Sequence, residues 1–463
     1  MEHSSLFAFD GVAVIVEDTA TYSYAELREL VEQRAARWRD YLETLESPKF
    51  MLHKATVWID EATAFEQIVA VFTAKVLGLI GILSDELGSE GAHFRCSEGA
   101  LHRLSADSPS RYGEDVGMLF ATSGTTEIAR IVGHRWQALL LCASEMAQVL
   151  GMDSQTRSLL VLPLQFHYGF SVVTSTLISG GTLIIPKVSP QSAGFLLEIA
   201  ACIQQLKPTS IASVPRMWAL LTRIIPDQAW ATLRQVVFAG DFCPNTLLKT
   251  VQGFNPMMAV FIFYGSTEVL RSCAHHWKEG DPEGIVGTPL PSAQLYPRYR
   301  YTFQDGSTLC EEVWEGEKCL YSQPIFWVLA DFLERDQKGM WYFKFRNADV
   351  LKVAGVRVSP LKIEAFFQAE IERAQSPIRE VIAVNYLDDF AVVLSVSTQE
   401  RLLEIEIALP RRYQPRYWIV LEEDFPLTSR QKRSRSWILQ HALQYTSATT
   451  IPPCTLVTPD GST

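Results

Sequence analysis

The chain has 463 residues, of which 48% are hydrophobic and 20% are charged. This composition excludes a largely disordered protein, because the burial of so much apolar surface can offset the entropy lost on ordering. The 41 basic and 52 acidic residues give a formal net charge of −11, which argues against a general nucleic-acid binder.

The sequence also lacks the patterns of a secreted or membrane-spanning protein. Its start has no basic region followed by an apolar core. Its most apolar stretch, residues 68–83, is shorter than the roughly 20 residues that span a bilayer. The eight cysteines are scattered without a C-x-x-C pair, so we expect reduced, mostly buried thiols. These features predict a cytoplasmic protein without a membrane span.

Hydrophobic periodicity predicts helices that alternate with strands over the first 290 residues or so. Ser23 and Glu26 have the spacing of a capping box at the start of the first helix. Residues 68–83 predict a buried helix followed by a strand. Further helices are predicted over 138–150 and 194–206, and strands over 57–59, 116–121, 158–162, 182–185, 235–239 and 260–263. This alternation is typical of an α/β fold with mainly parallel sheets.

The composition changes after about residue 290. Alternating aromatic residues over 296–301 and 341–345 are typical of antiparallel strands. A smaller α+β unit follows from about residue 348, and residues 446–463 are predicted to form a tail or a loose edge. We therefore predict a large N-terminal domain, residues 1–347, of layered, mainly parallel sheets and helices, and a small C-terminal α+β domain, residues 348–463.

A loop rich in hydroxyl groups directly follows the predicted strand at 116–121. Its residues are Thr122, Ser123, Gly124, Thr125 and Thr126. The hydroxyl and backbone N–H groups of such a loop can bind phosphate oxygens. The loop is not a Walker loop, because the G-x-x-x-x-G-K-[ST] pattern is absent. By itself, such a composition is more often that of an ordinary connecting loop.

Three further motifs follow in chain order. Residues 263–268 read Phe-Tyr-Gly-Ser-Thr-Glu after a strand, where an aromatic ring can stack on a base and a carboxylate can hold a hard cation. Residues 346–355 read Arg-Asn-Ala-Asp-Val-Leu-Lys-Val-Ala-Gly, and residues 426–432 read Pro-Leu-Thr-Ser-Arg-Gln-Lys. Each motif is weak when taken alone.

In this order and spacing, the four motifs resemble those of the adenylate-forming superfamily of acyl-CoA synthetases, luciferases and peptide-synthetase adenylation domains. The resemblance runs from Tyr22 to about Arg435. It implies a mobile C-terminal domain and an active site between the two domains. It also implies an ATP- and Mg²⁺-dependent ligase that converts an aryl or aliphatic carboxylic acid into an acyl-adenylate and releases pyrophosphate. The acyl group would then pass to coenzyme A or to the phosphopantetheine of a separate carrier protein.

The resemblance assigns the nucleotide-binding residues one by one. The loop at 122–126 would bind the β- and γ-phosphates of ATP, and Arg130 would replace the family's lysine. Tyr264, followed by Gly265, would stack on the adenine, opposite the turn that contains Gly240.

The remaining assignments concern the α-phosphate, the metal and the ribose. Thr267 would contact the α-phosphate, and Glu268 would hold Mg²⁺. Asp331 and Arg346 would contact the ribose. Lys432 would bridge the attacking carboxylate and the α-phosphate as a catalytic residue.

Three positions depart from the family pattern. Glu127 adds a negative charge beside the phosphate loop, Gln431 replaces the glycine before the catalytic lysine, and Ala348 stands where an Asp or Lys hinge is usual. A degenerate member that binds nucleotide without catalysis is therefore an alternative.

The acid pocket is predicted to contain His167, Tyr168, Gly169 and Arg271. Amino-acid-activating relatives place an aspartate near Tyr168 to pair with the substrate ammonium, whereas a tyrosine and a neighbouring arginine disfavour it. We therefore expect a plain carboxylic acid, with amino-acid-activating, amide-forming and luciferase-like members as alternatives. His167 is also compatible with a core histidine that only packs. The adjacent histidines at 275 and 276 lack a further ligand at metal-binding spacing.

Overall fold

The computed structural model describes most of the chain up to residue 346 and shorter segments beyond it. The described residues are 9–16, 20–45, 55–84, 92–104, 116–121, 131–188, 192, 194–302, 308–316, 327–346, 351–353, 356–358, 360, 363–364, 367–368, 371, 378–386, 389–396, 415, 417–421, 423–426 and 435–445. They belong to two compact units. The first unit comprises Met1–Tyr296, Val313–Trp327 and Arg335–Tyr342, and the second comprises Pro297–Glu312, Val328–Glu334 and Phe343–Thr463.

Within these ranges the helices are well separated along the sequence. They are α1 (Tyr24–Glu43), α2 (Ala64–Val76), α3 (Trp136–Leu150), α4 (His167–Ile178), α5 (Phe195–Leu206), α6 (Pro215–Ile224), α7 (Asn245–Phe254) and α8 (Arg435–Tyr445), with a 3₁₀-helix at Asp227–Thr232. The predicted capping box is confirmed, because the Ser23 hydroxyl accepts from the Glu26 amide while the Glu26 carboxylate accepts from the Ser23 amide. Among the described helices, none combines the length and the apolarity needed to cross a bilayer.

The described strands outnumber the helices. They are β1 (Val12–Val16), β2 (Ala20–Ser23), β3 (Thr56–Ile59), β4 (Ile80–Ile82), β5 (Phe94–Ser97), β6 (Ala100–Arg103), β7 (Met118–Ala121), β8 (Ile131–His134), β9 (Arg157–Leu159), β10 (Thr182–Ile185), β11 (Ser210–Ser213), β12 (Gln235–Ala239), β13 (Ala259–Ser266), β14 (Leu270–Trp277), β15 (Ile285–Pro289), β16 (Ala293–Thr302), β17 (Thr308–Gly316), β18 (Trp327–Arg335), β19 (Trp341–Arg346), β20 (Leu351–Val353), β21 (Val356–Val358), β22 (Ile378–Tyr386), β23 (Asp389–Val396) and β24 (Tyr417–Leu421).

The first unit contains two sheets whose inner strands are parallel. One has the strand order β13-β12-β11-β9-β10-β1, with parallel neighbours, and antiparallel β2 and β14 extend it at its two sides. The other has the order β6-β5-β3-β4-β7-β8, in which β3, β4, β5 and β7 are parallel and the outer strands are antiparallel. The predicted α/β fold with mainly parallel sheets is confirmed.

Helix α4 is buried almost along its whole length. It packs against α3 and contacts β9 and β10. Its hydroxyl side chains donate to carbonyls three or four residues earlier, so a buried helix can carry polar residues at little cost. The hydroxyl-bearing residues are Ser171, Thr174, Ser175 and Thr176. This helix brings three of the predicted acid-pocket residues, His167, Tyr168 and Gly169, into the interior at its N-terminus.

Some strand boundaries differ from the predictions. The strand predicted over 158–162 ends at Leu159, because the chain turns towards Pro163, which has no N–H to continue a ladder. The strand predicted over 260–263 extends to Ser266, because β14 folds back and pairs with it. The strands predicted over 182–185 and 235–239 are confirmed with the same bounds.

The second unit contains a three-stranded sheet, β22-β23-β24, with apolar residues on both faces. Along β23, Phe390 and Val392 face one core cluster, while Ala391 and Val393 face another that includes residues of α8. The Glu364 carboxylate forms two hydrogen bonds with the Arg435 guanidinium, at 2.6 and 3.0 Å. The predicted domain bounds, residues 1–347 and 348–463, stay predictions.

Candidate functional site

Three parallel strands of the first unit end side by side. In the register of β11, β12 and β13, Ser213 pairs with Phe238, and Ala239 pairs with Phe263. Gly240 follows β12 with a φ of +88°, a backbone conformation that favours glycine, and Tyr264 lies one residue beyond Phe263. Ligands of α/β proteins bind outside the carboxyl ends of such strands. Two predicted nucleotide-binding residues, Gly240 and Tyr264, therefore lie on neighbouring strands at the edge where a ligand is expected.

A tight hairpin turn between β13 and β14 carries Thr267 and Glu268, both half-buried. A Cβ at Gly265 would lie 1.8 Å from the Leu270 carbonyl oxygen, so only glycine fits there. Leu270 itself has a φ of +58°, an uncommon conformation for a leucine. The close approach of the two strands thus determines where the carboxylate of Glu268 is presented.

His134, at the end of β8, joins the second sheet to this turn. Its Nε2 donates to the Thr267 carbonyl oxygen at 2.6 Å. The side chain is fully buried, and burial lowers the pKa of His134 from 6.5 to about 4, although the hydrogen bond to Thr267 opposes the decrease. The imidazole is therefore neutral at physiological pH.

An aromatic cluster surrounds this histidine. The ring of Phe120, in β7, lies 6.0 Å from His134, 5.8 Å from His167 and 5.7 Å from Phe170, measured between ring centroids. The two imidazoles are 6.2 Å apart. His167 is thus a buried member of an aromatic cluster, next to the end of the strand that precedes the predicted phosphate loop.

Tyr168 and Arg271 form a buried cation–π pair beside the strand ends. The guanidinium carbon of Arg271 lies 4.0 Å from the centre of the Tyr168 ring. The Tyr168 hydroxyl lies within hydrogen-bond distance of the Ser213 and Val237 carbonyl oxygens, at 3.3 and 3.2 Å. Burial raises the pKa of Tyr168 and lowers that of Arg271, so the tyrosine stays neutral while the intrinsically very basic guanidinium keeps its charge.

Gly169 is required by a close backbone approach. A Cβ at this position would lie 2.2 Å from the Pro163 carbonyl oxygen. Any other residue would push the first turn of α4 away from the segment before it. The predicted residues His167, Tyr168 and Gly169 are therefore positioned together by the start of one buried helix.

The first unit brings nine of the eighteen predicted site residues into one region. The others are distributed differently: Asp331 is buried in β18 of the second unit, and Arg346 ends β19, also in the second unit. The predicted phosphate-loop residues 122–126, with Arg130 and Lys432, lie outside the described residues, as do the departures at Glu127, Ala348 and Gln431. The roles assigned to all these residues stay predictions.

Sequence reasoning missed His134. The available signal was the short apolar run just before it, which forms a return strand antiparallel to β7 and pairs Met118 with His134. Recognition of that hairpin would have placed the histidine beside the strand that leads into the predicted phosphate loop.

The potential metal ligands of the region are few. Over the described residues, no group of three or more His, Cys, Asp or Glu side chains could hold a metal ion. His275 lies 2.8 Å from the Asp281 carboxylate, and His276 stacks on Phe261. The half-buried Glu268 carboxylate is a hard oxygen ligand of the kind that Mg²⁺ prefers, with a phosphate and water as its usual further ligands.

Comparison with known proteins identifies the family. The sequence profile of the AMP-binding enzyme family matches residues 47–296, more than half of the chain. The chain belongs to this family. The family expected from the four motifs is thereby confirmed.

Two curated relatives illustrate the similarity. The chain is 25% identical over 265 residues to a 2-succinylbenzoate–CoA ligase of Lactococcus lactis subsp. lactis, across 56% of each protein. It is 24% identical over 346 residues to the p-hydroxybenzoic acid–AMP ligase FadD22 of Mycobacterium tuberculosis, across 68% of this chain and 48% of that protein. The chain spans about half the length of the curated relatives it matches.

Solved structures share the fold over nearly the whole chain. The O-succinylbenzoate coenzyme A synthetase MenE of Bacillus subtilis, solved with ATP and a magnesium ion, aligns with a TM-score of 0.73 at 19% identity. That alignment covers 94% of this chain and 98% of the other. ATP-bound MatB of Rhodopseudomonas palustris aligns with a TM-score of 0.75 at 15% identity, over 96% of this chain and 98% of the other. At these identities the likeness concerns the fold.

Proposed function

We propose that this protein is an AMP-forming acid–thiol ligase of the acyl-CoA or acyl-carrier-protein synthetase type. It uses ATP to convert an aryl or aliphatic carboxylic acid into an acyl-adenylate and then transfers the acyl group to a thiol. The observation that carries the proposal is the arrangement of Gly240, Tyr264 and the Thr267–Glu268 turn at the carboxyl ends of parallel strands. Membership of the AMP-binding enzyme family supports it.

The first half-reaction joins two anions. A carboxylate oxygen of the acid attacks the α-phosphorus of ATP, and the bond to the departing pyrophosphate breaks. Negative charge accumulates at phosphorus, so the site needs cations there. Glu268 would hold Mg²⁺, which supplies part of this neutralisation when bound, and Lys432 would bridge the two reacting anions. The Thr267 hydroxyl would donate to the α-phosphate.

The other nucleotide contacts extend the proposal. Tyr264, next to Gly265, would stack on the adenine, and Asp331 with Arg346 would hold the ribose hydroxyls. Residues 122–126 and Arg130 would bind the terminal phosphates. The small C-terminal domain, residues 348–463, would be a mobile lid that carries Lys432.

The acid side of the site favours a substrate without an ammonium group. The buried guanidinium of Arg271 on the ring of Tyr168 creates a positive potential at the start of α4. A positive potential repels an α-ammonium and attracts an anionic or electron-rich substituent. The names of the two relatives, a succinylbenzoate ligase and a hydroxybenzoic acid ligase, support an aryl acid.

The thiol acceptor would be coenzyme A or a separate carrier protein. The relative named as a CoA ligase supports coenzyme A. A cytoplasmic location belongs to the same proposal, because ATP and coenzyme A are available there and thiols stay reduced. The described cysteines at 96, 142, 202, 243 and 273 are buried.

Acid-dependent pyrophosphate release with Mg-ATP tests the activation step. We expect release with one class of aryl or aliphatic acid, and about 100-fold slower release by Glu268→Gln and by Lys432→Ala. Glu279→Gln, at an exposed surface ion pair, is the matched control and should equal wild type. No release with any acid, from protein that binds ATP, would instead support a degenerate nucleotide-binding member.

Product analysis then identifies the acceptor. The protein is offered coenzyme A, a phosphopantetheinylated carrier protein and a set of amines in parallel, with the acid that supports pyrophosphate release. A thioester as the dominant product agrees with the proposal. An amide or an oxidised product would identify the amide-forming or luciferase-like alternative.

A further inference from the structure

His134 is a buried polar residue for which the proposed reaction has no direct use. It lies in β8 of one sheet, and the only hydrogen-bond partner of its side chain among the described residues is the Thr267 carbonyl oxygen, at the tip of a hairpin of the other sheet. A buried imidazole is normally retained only where its hydrogen bonding matters, since apolar residues fill a core at lower cost.

The geometry of this hydrogen bond determines the tautomer. A carbonyl oxygen can only accept, so Nε2 must carry the proton and Nδ1 must be the bare nitrogen of the neutral ring. At 2.6 Å the contact is short for an N–H···O bond, and it is shielded from water because the side chain is fully buried. The bond therefore holds the Thr267 peptide group strongly against the strand pair β7–β8.

We propose that His134 is a positioning residue for the Thr267–Glu268 turn. Its Nε2–H fixes the Thr267 carbonyl, and so sets the position from which the next residue presents its carboxylate. The other side of the turn is held by the tight pairing of Gly265 with Arg271. The turn is thus held by one contact within the hairpin and by one hydrogen bond from the other sheet. The Glu268 carboxylate is therefore positioned before any ligand binds.

The consequence for catalysis rests on the proposed function. Residues that orient a metal ligand without touching the metal typically contribute about 10- to 100-fold in affinity or activity. His134 would act in this way on Glu268 through the backbone of Thr267. The effect should appear mainly in kcat and in the Mg²⁺ requirement, and little in the KM for the acid.

Two substitutions of His134 by amide residues distinguish the role of its hydrogen bond from the role of its side-chain volume. In His134→Gln, the side-chain nitrogen lies as many bonds from Cα as Nε2 does, so it can still donate to Thr267. In His134→Asn, the nitrogen takes the place of Nδ1 and cannot reach that oxygen. Trp230→Phe, a buried substitution in the same unit next to Phe254, is the control for general destabilisation.

Hydrogen exchange of the ligand-free protein is the first measurement. We expect amides of the peptide that spans residues 263–272 to exchange at least about tenfold faster in His134→Asn than in wild type. They should exchange at nearly the wild-type rate in His134→Gln and Trp230→Phe. Equal exchange in the Asn and Gln variants, or no change in the Asn variant, would overturn the proposal.

Pyrophosphate-release kinetics provide the second measurement. We expect kcat of His134→Asn to fall about 10- to 100-fold with a higher Mg²⁺ requirement, and His134→Gln to recover most of it. If His134 had only a structural role, both variants would instead lose activity in proportion to their loss of thermal stability. If wild type itself releases no pyrophosphate, the proposed function fails, while the exchange measurement still decides the role of His134.

Discussion

The folded protein should lose stability over a defined acidic range because His134 is held neutral. Its pKa is 6.5 ordinarily and about 4 in the folded protein, since burial disfavours the charged ring. Between these two values the unfolded chain binds a proton that the folded chain does not bind. The free energy of unfolding therefore decreases as pH falls from about 6.5 towards 4, and the contribution of the neutral ring is complete above 6.5.

The size of the effect follows from the two pKa values. They differ by about 2.5, and each unit is worth about 1.4 kcal/mol, so the whole range corresponds to about 3 kcal/mol. Between pH 7 and pH 5 only part of this range is crossed, and the expected loss is about 2 kcal/mol. This is a large share of the stability of an ordinary domain.

Denaturant unfolding at pH 7 and pH 5, followed by tryptophan fluorescence, measures this loss. Because many groups titrate, the quantity of interest is the difference between wild type and His134→Gln, which has no imidazole at this position. We expect wild type to lose about 2 kcal/mol more than the variant over this interval. Equal losses in the two proteins would refute the inference that the folded protein keeps His134 neutral.

Three further predictions concern other parts of the molecule. Tyr168→Phe removes a buried hydroxyl that faces two strand carbonyls but keeps the ring under Arg271, so the free energy of unfolding should fall by about 1–2 kcal/mol with little change in the KM for the acid. Gly265→Ala puts a methyl group against the facing carbonyl, so circular dichroism should show a thermal midpoint many degrees lower, and pyrophosphate release should be lost. Glu364→Gln breaks its ion pair with Arg435, so the second unit should lose about 3 kcal/mol of stability, measured by hydrogen exchange of α8.

Each of these predictions has a contrary result. A rise in the acid KM of Tyr168→Phe as large as that of Tyr168→Leu would mean that the hydroxyl itself contacts the acid. A stable and active Gly265→Ala protein would contradict the close strand approach. Unchanged exchange of α8 in Glu364→Gln would mean that the ion pair does not anchor this helix.

Local features could be predicted because they depend on residues close in sequence. The capping box of Ser23 and Glu26 needs only a three-residue spacing, and residues 68–83 form α2 and β4 as expected. Strands with continuous apolar residues, such as Gln235–Ala239, were predicted with correct bounds. Predicted bounds were wrong where pairing with another segment sets the end of an element, as in the extension of β13 by its pairing with β14.

The sequence by itself determined the α/β class, the family and the identity of most candidate site residues, because the four motifs can be recognised from their order and spacing without coordinates. Only the tertiary structure decided which side chains support those motifs. His134 and Thr267 are 133 residues apart, and Tyr168 reaches a carbonyl 45 residues away. These contacts arise where one sheet packs against another and where a buried helix packs against a sheet. Packing is set by the shapes of all neighbouring residues together, so no local sequence pattern encodes it.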